Sequence, residues 1–133
     1  MVHFEMPAED KSRMAGFYSN VFGWETNQMG EEYGNYMVVM TDKSDQNGPL
    51  EKGRINGGFY EKGSDPKTNV VRLVVAVDDY KESMKKVEEA GGKIYGHPTD
   101  IPNVGMYVLF TDTEGNLMGM LQPAPQMGGN PGA

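Results

Sequence analysis

A chain of 133 residues without cysteine has no disulfide, thiolate metal site or cysteine nucleophile, and it is long enough for one domain or for two small modules sharing a core. Its formal net charge of -7 argues against capturing nucleic acid or an anionic membrane by bulk electrostatics, since both need basic patches. The start is polar within a few residues and no long apolar run follows, so no signal peptide or membrane span is expected and a cytoplasmic protein is the default.

Val2-His3-Phe4-Glu5-Met6 alternates as a strand does, with His3 and Glu5 on one face and Phe4 and Met6 on the other. Asp10 is a helix N-cap candidate, and Met14, Phe17, Tyr18, Val21 and Phe22 recur at helical spacing, which predicts a helix with one buried face. Gly23 ends it, the lone Trp24 follows, and a short strand is expected near 26–29. Residues 36–41 read as a strand, 42–53 as a surface loop, and 54–60 as a strand whose Gly57 and Gly58 suggest a bulge or a close backbone approach.

After a linker at 61–68 the pattern restarts. Residues 69–77 are β-branched and apolar, and Asp79 with Glu82 makes a capping-box-like start. Tyr80, Met84, Val87 and Ala90 fall at helical spacing, and Gly91-Gly92 stops the helix. A short strand at 93–95, a loop holding His97 through Asn103, and strands at 105–112 and 117–121 complete the series. Residues 123–133 are rich in Pro and Gly and read as a flexible tail. Eleven methionines suit an adaptable apolar pocket, or more simply a core in which Met replaces Leu.

Both halves thus run strand, helix, strand, strand, strand. Val2-His3-Phe4 lies over Val71-Arg72-Leu73, Asp10 over Asp79, Gly23 over Gly92, and Gly34-Asn35-Tyr36 over Gly105-Met106-Tyr107. A repeat of this length predicts two copies of one supersecondary unit, each helix covering the outer face of its own sheet and the inner faces curving round a cavity.

On its motifs the chain resembles the vicinal oxygen chelate superfamily, the glyoxalase/bleomycin-resistance/dioxygenase proteins. They are His3-Phe4-Glu5-Met6-Pro7-Ala8-Glu9-Asp10, Phe17-Tyr18-Ser19-Asn20-Val21-Phe22-Gly23-Trp24, Val77-Asp78-Asp79, Ala90-Gly91-Gly92-Lys93 and Phe110-Thr111-Asp112-Thr113-Glu114-Gly115-Asn116. The resemblance covers residues 1–123 and implies an α+β fold: two tandem βαβββ modules, 1–62 and 69–122, forming a curved sheet around a cup with helices outside. It does not select one reaction, because the family spans glyoxalases, extradiol dioxygenases, epimerases, thiol transferases and metal-free drug-binding proteins.

Catalytic members hold a divalent metal with four inward side chains, usually His and Glu, because the cation must polarise an oxygenated substrate and keep open positions. The resemblance carries these positions to His3, Gly57 or Gly58, Arg72 and Gly119. Only His3 matches, so no cofactor is expected, with a divalent metal left as the alternative. A set made of His3, Glu5 and His97 is a conceivable rescue, although His97 before Pro98 is most simply a surface loop residue.

Arg72, if inward, would pair with Glu5 or offer a fork to a carboxylate or phosphate ligand; it is equally readable as an exposed strand-end residue. Glu5 beside His3 would make a general base if a dry cup raised its pKa, and an Arg72 salt bridge would oppose that. Trp24, Tyr36, Phe59, Tyr60, Tyr107 and Leu121 are candidates for the cup wall. The reading is a glyoxalase-like protein with a degraded metal site that binds a small organic molecule and pairs as a homodimer. The alternative is a metal-dependent lyase of lactoylglutathione-lyase type, or a dioxygenase, using His3 and Glu5 as catalytic residues.

Overall fold

The alternating N-terminal stretch forms β1 (His3–Ala8), and Asp10 then caps α1 (Lys11–Phe22) by accepting a 3.0 Å hydrogen bond from the Arg13 N–H. The helix ends at Gly23, whose φ of 74° is the left-handed conformation that glycine adopts without a Cβ penalty. β2 (Glu25–Gln28), β3 (Met37–Met40), the small pair β4 (Ser44–Asp45) and β5 (Gly48–Pro49), and β6 (Asn56–Glu61) follow. The second series is β7 (Arg72–Ala76), α2 (Tyr80–Glu89), β8 (Lys93–Ile101), β9 (Gly105–Thr111) and β10 (Leu117–Pro123). This is a computed structural model that describes residues 1–46 and 48–125.

The chain divides into two compact units, Val2–Arg72 and Leu73–Ala133, with Met1 counted in the latter. In the first, the strands lie in the order β2-β3-β6-β1. β6 runs parallel to β1 with Glu5 beside Gly58, while β3 is antiparallel to β2 and β6. In the second the order is β7-β10-β9-β8, with β10 parallel to β7 and antiparallel to β9. Order and direction match strand for strand, so the repeated pattern is realised as one α+β topology built twice.

The first unit's core is Met37, Val39 and Phe59, packed by Phe4, Met6, Met14, Ala15, Tyr18 and Trp24. Removing Phe59 fully from water stabilises the unit by about 1.5–3 kcal/mol. In the second unit Val74, Val108 and Met120 are the buried apolar residues. Asp79 caps α2, accepting from the Lys81 and Glu82 N–H groups.

Three expectations need correction. Phe17, Val21 and Phe22 do not join the buried face of α1; they are 57%, 54% and 63% exposed, and the helix packs through Met14, Ala15 and Tyr18 instead. The segment holding His97 is not a loop: β8 continues through it, with an irregularity between Tyr95 and Thr99 where Gly96 takes a φ of 78°. Pro98, which has no N–H to donate, is tolerated there because β8 is the outer strand of its order. The segment 42–53 carries the β4–β5 pairing. In the expected tail, β10 reaches Pro123, and residues 126–133 lie outside the described residues.

Candidate functional site

The face of β1 turned away from α1 carries His3 and Glu5, as strand alternation requires. Glu5 is buried, and so is Arg72. The Arg72 Nε donates to Glu5 Oε1 at 3.1 Å, and Nη2 lies 3.1 Å from the same oxygen. Nη1 donates to the Thr68 carbonyl at 3.0 Å, and the guanidinium sits 4.0 Å above the Tyr60 ring. A carboxylate, a carbonyl and an aromatic face together compensate the desolvation of this cation. Tyr60 is fixed in turn, its Oη lying 2.6 Å from the carbonyls of Thr68 and Val70 and accepting from the Val70 N–H.

Tyr36 joins the two β1 side chains. Its hydroxyl donates to Glu5 Oε2 at 3.1 Å and lies 2.9 Å from His3 Nε2. Burial lowers the His3 pKa from its usual 6.5, with the nearby Glu5 carboxylate acting in the opposite sense. Burial raises the Tyr60 pKa, against a lowering by Arg72. The result is one continuous chain, His3–Tyr36–Glu5–Arg72–Tyr60. Among the described residues, no buried side-chain nitrogen or oxygen lacks a hydrogen-bond partner.

The register decides between Gly57 and Gly58. Gly57 pairs with Phe4, and a Cβ there would lie 2.5 Å from the Phe4 ring on the helix side. Gly58 pairs with Glu5 and shares its face, and a Cβ there would overlap Cε2, Cζ and Oη of Tyr36. The Tyr36 ring therefore occupies the volume that a side chain at position 58 would need. Position 119 is alike, since a Cβ on Gly119 would lie 2.5 Å from the Tyr107 Oη. A divalent metal does not fit the first unit's set: Arg72 already neutralises Glu5, and Tyr36 stands over Gly58. Among the described residues, no group of three His, Cys, Asp or Glu could hold a metal ion.

The remaining candidates scatter. Trp24 stacks on Tyr18 at 4.7 Å, and Phe59 is fully buried against Tyr18, so both belong to the core under α1 and not to the His3 face. Tyr107 and Leu121 are cross-strand partners on β9 and β10 in the second unit, both half-buried. His97 is exposed on β8. What sequence reasoning missed is the part played by Tyr60 and the Thr68 carbonyl in seating Arg72. For Tyr60 a signal existed: it stands two residues beyond Gly58, hence on the same face.

A family model of the Glyoxalase/Bleomycin resistance protein/Dioxygenase superfamily matches residues 1–120. The chain belongs to that superfamily. The protein CFP32 of Mycobacterium tuberculosis is 31% identical over 119 residues, covering 88% of this chain and 42% of its own. The chain thus spans less than half the length of that relative. Among solved structures, hypothetical protein BH1468 from Bacillus halodurans has a TM-score of 0.66 at 13% identity, covering 96% of each chain. Methylmalonyl-CoA epimerase from Mycobacterium tuberculosis has a TM-score of 0.63 at 14% identity, covering 93% of this chain and 87% of its own. At such identities the structural likeness concerns the fold. No helix among the described residues is long and apolar enough to cross a membrane.

Proposed function

We propose that this superfamily member works without a metal and binds a small organic molecule against the His3, Tyr36, Glu5 and Arg72 face of its first unit. The observation that carries this reading is the double occupation of the family's ligand positions. Arg72 holds Glu5 in a buried ion pair, and the Tyr36 ring fills the space above Gly58. A site pre-neutralised in this way has lost the charge that attracts a divalent cation and kept oriented polar groups beside aromatic walls, the composition of a small-molecule site. Tyr107 and Leu121 are proposed as ligand contacts on the second unit's own strands. In the same reading the protein is a cytoplasmic homodimer, which sedimentation equilibrium tests. The central experiment is elemental analysis of the purified protein together with calorimetry against small aromatic and cationic compounds. Substoichiometric metal and saturable binding of an organic compound are expected. Tight stoichiometric binding of a divalent metal would overturn the proposal in favour of a metal-dependent lyase or dioxygenase.

A further inference from the structure

The chain of hydrogen bonds through Tyr36 has a direction. Glu5 accepts from Arg72 through Oε1, and its Oε2 lies 3.1 Å from the Tyr36 hydroxyl. A carboxylate has no hydrogen to give, so the single phenolic proton points at Glu5. Tyr36 Oη then turns a lone pair toward His3 Nε2 at 2.9 Å, and Nε2 must carry the hydrogen. A neutral imidazole has one N–H, so Nδ1 is left as an acceptor. Burial favours the neutral ring, since it disfavours imidazolium more than Glu5 restores it. Nδ1 makes no hydrogen bond to any described residue, yet no buried side-chain nitrogen or oxygen among them lacks a partner. Nδ1 must therefore be reachable from outside.

We infer that His3 Nδ1 is the acceptor that reads the ligand, and that the ligand is a neutral small molecule presenting an O–H or N–H donor to it. This rests on the reading that a small molecule seats on this face, and it narrows the chemistry. A carboxylate or phosphate would meet a lone pair at Nδ1. The one buried cation nearby, Arg72, already has Glu5, the Thr68 carbonyl and the Tyr60 ring around it. An anion would have to break that set to be neutralised. A hydroxyl or amide N–H completes the network and disturbs nothing.

The tautomer can be measured without any ligand. Long-range nitrogen–proton correlation spectra of histidine-labelled protein at pH 7.5 report which ring nitrogen is protonated. The protein has two histidines, so a His97→Gln variant assigns the signals. His3 is expected as the Nε2–H form, and Tyr36→Phe, checked for intact folding by circular dichroism, is expected to release it into a mixture of tautomers. An Nδ1–H form or a protonated ring in the wild type overturns the inference. A second arm titrates phenol, anisole and benzoate while following the same signals. Phenol is expected to shift Nδ1 and to bind about fivefold to tenfold more tightly than anisole, the factor one net hydrogen bond supplies, with benzoate weakest. Equal affinity of phenol and anisole, or preference for benzoate, overturns the ligand class. If none of the three binds although the tautomer is as expected, the small-molecule reading of the face falls and the ligand class with it. The two failures are thus told apart.

Discussion

Arg72 and Glu5 are each expensive to bury alone, and each makes the other's burial tolerable. Deleting one charge should therefore cost more than the pair contributes. Arg72→Met is expected to lower unfolding free energy by about 3–5 kcal/mol, read from denaturant midpoints, because the Glu5 carboxylate stays buried without its cation. Pairing it with Glu5→Leu should recover a large part of that loss, and a double variant no more stable than Arg72→Met would contradict the account. His3 adds a pH dependence of definite sign. Its folded pKa is lowered below 6.5, so on acidification the unfolded chain takes up its proton first. The His3 contribution is full above about pH 7.5 and falls away as pH drops through the usual value of 6.5 to the lowered one. Glu5, Tyr36 and Arg72 form the polar chain beside the ring, and their part is shared by a His3→Gln control. Wild type should lose more stability than His3→Gln between pH 7.5 and 5.5, and parallel curves would refute the assignment. Alternation along β1 was enough to put His3 and Glu5 on one face. It could not choose between the two readings of Arg72, because the pair is separated by 67 positions and only folding brings it together.

The elements show where periodicity carries information and where it stops. In α1 the spacing of Met14, Phe17, Tyr18, Val21 and Phe22 established a helix correctly but overstated its buried face. A helix stripe is wider than the groove it meets; here Met14, Ala15 and Tyr18 reach the sheet while Phe17, Val21 and Phe22 fall on the flanks. Apolar identity alone does not separate the two groups, but substitution does. Phe59→Ala should cost about 3–5 kcal/mol, because it empties a fully enclosed site between β6 and Tyr18. Phe22→Ser should cost no more than about 1–1.5 kcal/mol, because the residue is 63% exposed and gives up only its ring contacts with Tyr18 and Trp24. Thermal or chemical denaturation of both reads the contrast, and a large loss from Phe22→Ser would mean that this face is covered in solution. Strand β8 hid for a different reason. Gly96-His97-Pro98 carries a positive φ and a residue without a donor, both turn signals, yet the strand resumes with Thr99 opposite Tyr107.

Across the whole molecule the repeat is deeper than strand order. Each unit places a glycine on the strand that runs parallel to its first strand, β6 and β10, and lays over it a tyrosine from the neighbouring strand or the residue just before it: Tyr36 over Gly58, Tyr107 over Gly119. The family resemblance put missing ligands at Gly57 or Gly58 and at Gly119. What the sequence could not reveal is that each gap is filled, since a missing side chain reads the same whether it leaves a void or admits a neighbour. The two fillings differ in depth. A methyl at position 58 would overlap three atoms of the Tyr36 ring, which is held by His3 and Glu5. At position 119 the nearest atom would be the Tyr107 Oη at 2.5 Å, with the ring carbons at 2.8 Å and 2.9 Å. Gly58→Ala is therefore expected to cost about 1–3 kcal/mol, the usual penalty of overpacking, and Gly119→Ala less. Adding Tyr36→Ala to Gly58→Ala removes the clash, so the double variant should lose less than the sum of the single losses. Strict additivity in that cycle would mean that the ring does not occupy the space above Gly58. The case against a metal in the first unit would then rest on Arg72 alone.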